Sequence, residues 1–160
     1  MLRKKITILI LGLCVLMLPQ GVQASELPLE SEFSILIDAN TGHVLHEVAM
    51  HERAYPASMT KVMTALLLLE SGYGLTTPIF HSHAAISSVM PWHSGLVYVD
   101  DFLTVEEALY AIMLPSANDV SNAVAEFLGG TMENFASMMT ARAHQMGAVN
   151  TNFTNAHGLW

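Results

Sequence analysis

The sequence predicts an α+β fold, in which an antiparallel β-hairpin near the N-terminus is followed by a larger helical region. Two stretches rich in apolar and β-branched residues, 33–38 and 43–48, flank the turn-forming residues Ala39-Asn40-Thr41-Gly42, a pattern typical of a hairpin. Several later stretches carry helix formers between helix start and stop signals. Because two strands alone are marginally stable in water, we expect the hairpin to pair with further strands.

Residues 1–24 have the pattern of a secretory signal peptide. A basic cluster at residues 3–5 precedes an apolar run over residues 6–18, and the stretch closes on the small-residue pattern Val22-Gln23-Ala24. A membrane span needs about 18 to 20 apolar residues, so we prefer a cleaved leader to the alternative of an uncleaved anchor. The sequence therefore predicts an exported, extracytoplasmic protein.

The rest of the chain is interpreted as a lead-in and one domain. We expect residues 25–32 to be flexible and residues 33–160 to form one compact piece, because no repeat or low-complexity tract interrupts them. Cys14, the only cysteine, lies in the leader, so the remaining chain has no disulfide and no thiolate metal site.

The charge balance excludes one class of partner. Beyond residue 24 only Arg53, Lys61 and Arg142 are basic, against all 14 acidic residues of the chain. An acidic surface repels phosphate polymers, so we expect no nucleic-acid binding. Lys61 is also the only lysine after residue 5.

The helical region begins with a helix predicted over Ala57–Glu70, which follows Pro56 and stops at Ser71-Gly72. Apolar residues occupy nearly all sides of this helix after Lys61, which predicts a central, buried helix. Thr104 and Glu107 have the spacing of a capping box. The remaining predicted elements are a short helix over 84–89, an extended stretch over 96–99, and helices over 104–114, 118–128 and 131–146.

Ser58 and Lys61, in the stretch PASMTK, are the first candidate catalytic residues. At i and i+3 on the opening turn of a helix, their side chains share one face. A serine hydroxyl needs a base to take its proton, and burial lowers the pKa of a lysine enough for it to serve as that base. A Ser-x-x-Lys match arises by chance about once in two chains of this length, so the position of the only late lysine is what favours catalysis.

Ser116 and Asn118 form the second candidate set, in a predicted break between two helices (LPSAND, residues 114–119). Ser116 would relay a proton between Lys61 and a leaving group, and the Asn118 amide would hold a substrate carbonyl and orient the lysine. Taken alone, such a stretch is more often an ordinary helix start than a catalytic motif.

Together and in this order, the two motifs resemble those of serine-type D-alanyl-D-alanine carboxypeptidases, which are low-molecular-mass penicillin-binding proteins. The signature of penicillin-binding proteins and class A β-lactamases is Ser-x-x-Lys, Ser-Asp-Asn and Lys-Thr-Gly. Ser58-Met59-Thr60-Lys61 matches the first element and Ser116-Ala117-Asn118 the second, with an alanine that resembles the carboxypeptidases more than the lactamases. The stretches SILIDANTGHVLHE, YPASMTKVMTALLLLE, MLPSANDVS and NFTNAHGL extend the resemblance from about residue 33 to Leu159.

This resemblance implies a β-lactamase/transpeptidase-like fold and an enzyme that removes the terminal D-alanine from peptidoglycan pentapeptides through an acyl-serine. Ser58 would be the nucleophile, Lys61 its general base, Ser116 a catalytic proton relay and Asn118 a substrate-binding residue. β-Lactams would acylate the same serine, and no cofactor is expected. The segment Asn155-Ala156-His157-Gly158-Leu159 resembles the family's Asn-Pro-His-Gly-Leu, and we interpret it as structural.

The third family motif, Lys-Thr-Gly, does not occur in the sequence. In the family it lies on a later strand of the sheet, where it binds the substrate carboxylate and completes the oxyanion hole. We therefore expect residues 33–160 to be part of a longer catalytic domain whose remaining strands are missing. Since loss of one oxyanion donor can cost a factor of about 10² to 10³ in turnover, we expect little activity from this piece alone. Membrane association through a segment beyond Trp160 is left open.

Two other functions remain as alternatives. A class A-like β-lactamase would need a deacylating glutamate on a loop after the second motif, whereas Glu126 and Glu133 fall on predicted helices. A non-catalytic peptidoglycan-binding protein would keep the cleft without the chemistry. His81, His83 and His93 have no acidic or cysteine partner at a metal-ligand spacing, so we predict no metal site. Trp92 and Tyr98 would line the cleft or pack in the core.

Overall fold

The computed structural model describes residues 30–89 and 102–159. The chain divides into two compact units, of which the first ends at Glu52 and the second begins at Arg53. The predicted α+β class is confirmed, because both units contain antiparallel strands and the second is mainly helical.

The first unit contains the predicted hairpin. Strand β1 (Ser34–Ile37) pairs antiparallel with β2 (Val44–Val48), with an irregularity in register between Leu36 and Ile37. Asp38 stabilises the connecting turn, because its Oδ1 accepts hydrogen bonds from the Thr41 N–H at 2.8 Å and the Thr41 hydroxyl at 2.8 Å. These bonds lower the pKa of the Asp38 carboxyl, the Thr41 hydroxyl being the largest cause.

The second unit is built from helices and a second small sheet. A 3₁₀ turn over Ala57–Met59 leads into helix α1 (Thr60–Glu70). Strands β3 (Pro78–Phe80) and β4 (Phe102–Thr104) pair antiparallel, with the buried Ile79 opposite the buried Leu103. This sheet was not predicted, because three-residue strands are too short to show an alternating pattern. The regular elements are α1 (Thr60–Glu70), β3 (Pro78–Phe80), α2 (His83–Ser87), β4 (Phe102–Thr104), α3 (Val105–Met113), α4 (Asn118–Gly129) and α5 (Met132–Gln145).

Helix α4 is the centre of the second unit. All residues from Asn118 to Ala125 are buried, and the helix packs against α1, α2, α3, α5 and β3. Small side chains along it let the neighbouring helices approach closely. At its end, a Cβ added to Gly129 would lie 2.7 Å from the backbone nitrogen of Phe135, so glycine permits the close packing of α5.

The predicted helices are confirmed with small shifts at their ends, and the capping box of α3 is present. Thr104 Oγ1 accepts a hydrogen bond from the Glu107 N–H, and the Glu107 carboxylate accepts one from the Thr104 N–H. Helix α4 begins without a side-chain cap, since its N-cap residue is Ala117. The predicted extended stretch over 96–99 lies outside the described residues.

The prediction that the first helix is central and buried holds for only one of its faces within the described part of the chain. One face of α1 is buried, through Thr60, Lys61, Thr64, Ala65 and Leu68. On the other side, Val62 is 58% exposed and Leu69 is 61% exposed. An apolar composition shows that a helix can be buried on any side, but the elements that pack against it decide which face becomes buried. None of the helices in residues 30–89 and 102–159 is long and apolar enough to cross a bilayer.

Candidate active site

Ser58 and Lys61 meet where the 3₁₀ turn passes into α1. Lys61 Nζ lies 3.2 Å from Ser58 Oγ. Ser58 belongs to the 3₁₀ turn rather than to the α-helix, and in this tighter helix side chains at i and i+3 eclipse each other. The serine is exposed, whereas the lysine is only 1% exposed. The pair thus combines an accessible hydroxyl with a buried amine.

Burial lowers the pKa of the Lys61 ammonium. Within the described residues, its Nζ hydrogen-bonds to two neutral oxygens, Ser58 Oγ and the backbone carbonyl of His157 at 3.0 Å. A carboxylate in either place would favour the charged form and raise the pKa. A buried amine held by uncharged oxygens is suited to exchange a proton with the serine.

The segment Asn155–Leu159 supplies the carbonyl that contacts Lys61. Asn155 Oδ1 accepts hydrogen bonds from the backbone N–H groups of His157, at 3.1 Å, and Gly158, at 2.7 Å. The Thr64 hydroxyl donates a 2.7 Å hydrogen bond to the Ala156 carbonyl. Sequence reasoning interpreted this segment as structural and did not identify Thr64. The only signal for a place in the site was the resemblance of the segment to the Asn-Pro-His-Gly-Leu stretch.

Gly158 lets this segment approach the turn that carries Ser58. A Cβ added to Gly158 would lie 1.9 Å from the Ala57 carbonyl oxygen and 2.7 Å from Thr60 Oγ1, and the residue has φ of +84°. Both observations require glycine. Ala57, which precedes the serine, itself has φ of 48°, an uncommon conformation for a residue with a side chain.

The His157 side chain is held neutral. Burial is the main cause that lowers the pKa of His157 to about 4, and the Lys61 charge adds to it. Its Nδ1 accepts a 3.1 Å hydrogen bond from the Leu159 N–H, which a protonated Nδ1 could not do. The imidazole is therefore uncharged near neutral pH and adds no positive charge beside Lys61.

Ser116 and Asn118 lie at the start of α4, after the break that follows α3. Ser116 is half-buried with φ of 62°, and Asn118 is 5% exposed. Among the described residues, neither is hydrogen-bonded to Lys61 Nζ, whose bonds go to Ser58 and His157. Their predicted roles therefore remain proposals.

The weaker sequence candidates give no second site. Trp92, His93 and Tyr98 lie outside the described residues. In the parts of the chain that are described, no group of three or more His, Cys, Asp or Glu side chains could hold a metal ion.

Comparisons with known proteins agree on one family. Residues 20–160 match the family model described as D-alanyl-D-alanine carboxypeptidase. The chain is 37% identical to the D-alanyl-D-alanine carboxypeptidase DacF of Bacillus subtilis over 143 residues, covering 87% of this chain and 36% of DacF. It is 31% identical to DacA of Escherichia coli over 139 residues, covering 82% of this chain and 34% of DacA. The chain thus spans about a third of these relatives' length.

Solved structures give the same result. The carboxypeptidase DacD of Francisella tularensis superposes with a TM-score of 0.77 at 29% identity, over 87% of this chain and 34% of that one. Penicillin binding protein 5 of Haemophilus influenzae gives a TM-score of 0.76 at 28% identity, over 85% of this chain and 41% of that one. The described fold is therefore part of the fold of these proteins.

Proposed function

Because the chain belongs to the D-alanyl-D-alanine carboxypeptidase family, we propose that it carries the nucleophile and the general base of a serine DD-carboxypeptidase. The observation that carries the proposal is the 3.2 Å contact between the buried Lys61 Nζ and the exposed Ser58 Oγ. The substrate is a peptidoglycan stem peptide that ends in D-alanyl-D-alanine.

The reaction proceeds through an acyl-enzyme. Lys61, in its neutral form, takes the Ser58 proton while Oγ attacks the carbonyl carbon between the two terminal D-alanines. The C–N bond breaks, the proton passes to the departing amine, and D-alanine leaves. Water then attacks the Ser58 ester, loses a proton to Lys61, and releases the shortened peptide with the serine restored.

Ser116 and Asn118 are proposed to complete the near side of this site. A half-buried hydroxyl at residue 116 suits the transfer of the proton to the leaving amine, and the Asn118 amide suits a substrate carbonyl. Backbone N–H groups at the start of α1 suit the negative charge on the attacked oxygen. Further oxyanion and carboxylate contacts are assigned to a Lys-Thr-Gly element outside this sequence, so we propose that the 160 residues alone have little activity.

The proposed location is outside the cytoplasm, where peptidoglycan is found. The leader-like pattern of residues 1–24 supports it. Membrane association through a further segment belongs to the same proposal, as does covalent inhibition by β-lactams, which acylate Ser58 in the way that the substrate does. No cofactor takes part in these steps.

The test is covalent labelling with a fluorescent penicillin. Both the 160-residue chain and a longer chain that continues its reading frame are incubated with the label and then mapped by mass spectrometry. We expect the label on Ser58, no label in Ser58→Ala, and labelling slowed by a factor of about 10² to 10⁴ in Lys61→Met. Ser71→Ala is the matched control, because this serine lies at the other end of α1, where its hydroxyl donates to the Leu68 carbonyl and accepts from the Tyr73 N–H, both close in sequence.

Other outcomes decide between the alternatives. A folded longer chain that binds peptidoglycan but takes no label would be a binding protein, and the proposal would be wrong. Rapid hydrolysis of the penicillin would instead indicate a β-lactamase. Against that alternative, the Glu126 carboxylate already accepts a 2.8 Å hydrogen bond from the Ser82 hydroxyl, and Glu133 lies in the first turn of α5.

A further inference from the structure

We propose that Thr64 and Asn155 are positioning residues, which fix the peptide groups around His157 so that its carbonyl oxygen aims Lys61 Nζ at Ser58 Oγ. The proposal rests on the proposed function for its catalytic meaning. Its geometric part concerns only the second unit of the chain.

A neutral lysine amine must be oriented to act as a base. It has one lone pair and two N–H bonds, and the lone pair has to point at the proton that it accepts. In a buried site each N–H also needs an acceptor, because an unpaired buried donor is costly. The His157 carbonyl, 3.0 Å from Lys61 Nζ, accepts one N–H, so the other N–H and the lone pair are the groups that can turn towards Ser58 Oγ, 3.2 Å away. The direction of this carbonyl therefore sets the direction of the base.

The direction of the His157 carbonyl depends on two consecutive planar peptide groups. Hydrogen bonds from the Thr64 and Asn155 side chains hold both groups in place. In the group that joins Ala156 to His157, the Ala156 oxygen is bound by the Thr64 hydroxyl at 2.7 Å and the His157 N–H by Asn155 Oδ1 at 3.1 Å. In the next group, the Gly158 N–H is bound by Asn155 Oδ1 at 2.7 Å. The His157 oxygen lies in this same plane, so its position follows from these bonds.

The placement of Thr64 links the carbonyl to the base through one rigid element. Thr64 stands three residues after Lys61 on the buried face of α1 and is completely buried. A displacement of the segment relative to α1 would break the Thr64 bond and the Lys61 bond together. The same helix thus presents the base and holds the group that orients it.

A merely structural anchor just before this segment offers a matched control. Thr140, on α5, accepts a 2.9 Å hydrogen bond from the Phe153 N–H, which precedes Asn155 in the chain. Thr140→Val removes a threonine hydroxyl that holds the chain just before this segment, without touching the peptide groups around His157. If the substitutions only loosen the segment, Thr64→Val and Thr140→Val should change the Lys61 titration equally. If Thr64 positions the His157 carbonyl, only Thr64→Val should change it.

The experiment follows the titration of Lys61 by NMR in the full 160-residue chain labelled with ¹⁵N-lysine. The sequence holds only two other lysines, Lys4 and Lys5, so the Lys61 signal is assigned by its loss in Lys61→Arg. We expect Thr64→Val and Asn155→Ala to raise the pKa of Lys61 by about one unit, because a released peptide group admits water to the amine. Thr64→Ser, which keeps the hydroxyl, and Thr140→Val should leave the titration at its wild-type position.

The rate of Ser58 acylation by fluorescent penicillin, measured in the longer chain that continues the reading frame, is the second readout. Thr64→Val should slow it about tenfold at unchanged half-saturating penicillin concentration, and Thr64→Ser should restore it. An unchanged Lys61 titration in folded Thr64→Val, or an equal shift in Thr140→Val, would overturn the proposal. If Thr64→Val does not fold, the same two measurements on Asn155→Ala decide in its place, because Asn155 is only half-buried. If the longer wild-type chain takes no penicillin, the proposed function is wrong, and the Lys61 titration alone decides this inference.

Discussion

Lys61 is the residue whose environment matters most to the proposed chemistry. A fully buried ammonium without a counter-ion is costly, and a protein reduces that cost by favouring the neutral amine. The structure leaves Lys61 only 1% exposed and gives it two neutral hydrogen-bond partners among the described residues. Burial on folding thus lowers the pKa of Lys61 and makes its amine easier to deprotonate.

The lowered pKa of His157 predicts an acid-sensitive stability. The unfolded chain protonates this imidazole near its ordinary pKa of 6.5, but the folded chain does so only at about 4. Between these values the unfolded state binds more protons, so the free energy of unfolding falls as the pH decreases. We expect the free energy of unfolding to fall by about 1 to 2 kcal/mol between pH 6.5 and 4. This is less than the whole pKa difference would give, because the ring is partly exposed to solvent. Urea unfolding at a series of pH values measures it.

His157→Gln is the variant that tests this interpretation. It removes the titrating ring, so its stability should depend less on pH between 6.5 and 4 than that of the wild type. His51→Gln, an exposed substitution in the first unit, should keep the wild-type dependence. Equal pH dependence in His157→Gln and the wild type would show that another group is responsible.

At the scale of elements, the site depends on how closely the 155–159 segment packs against the 3₁₀ turn. Gly158 and Gly147 both have positive φ, +84° and +95°, but they differ in surroundings. An added Cβ meets nothing within 4 Å at Gly147, whereas at Gly158 it would overlap the Ala57 carbonyl. This pair of glycines separates backbone strain from steric overlap.

We expect Gly147→Ala to lower the free energy of unfolding by about 1 to 2 kcal/mol, the cost of left-handed backbone for a residue with a side chain. Gly158→Ala should cost at least about 2 kcal/mol more, because the segment must also move away from Ala57. It should further slow penicillin labelling of Ser58, which Gly147→Ala should not. Denaturant unfolding and labelling rates measure the two effects. Equal destabilisation by both substitutions would contradict the close packing.

At the scale of the whole molecule, the two units differ in how well they cover their apolar residues. In the hairpin, Ile35 is 57% exposed, Ile37 is 51% exposed and Leu45 is 60% exposed. In the second unit, the first eight residues of α4 are buried within a core that several helices share. A two-stranded sheet with little buried apolar surface is marginally stable.

Hydrogen exchange of the 160-residue chain should reflect this difference. We expect amides of β1 and β2 to exchange at least about 100-fold faster than those of Asn118–Ala125, because local opening of the hairpin exposes little apolar surface. Mass spectrometry after proteolysis resolves the two regions. Comparable protection in both would mean that the hairpin is stabilised to the same degree as the helical core.

Much of this protein follows from local sequence. The hairpin, the capping box at Thr104 and the main helices were predicted, because turn residues, caps and apolar spacing act over a few positions. The pairing of Ser58 with Lys61 is equally local, since three residues on one turn are enough to bring the two side chains together. The strands β3 and β4 were missed, because three residues carry too little pattern.

The amino-acid sequence by itself determined the family motifs, the order of the helices and the identity of the candidate nucleophile and base. Only the tertiary structure decided what surrounds that base, because the His157 carbonyl lies 96 residues from Lys61 and the Ala156 carbonyl 92 residues from Thr64. Backbone carbonyls are the same at every position, so no residue type marks the one that will meet the amine. Their direction is set by packing and hydrogen bonds between distant segments, and these exist only once the chain has folded.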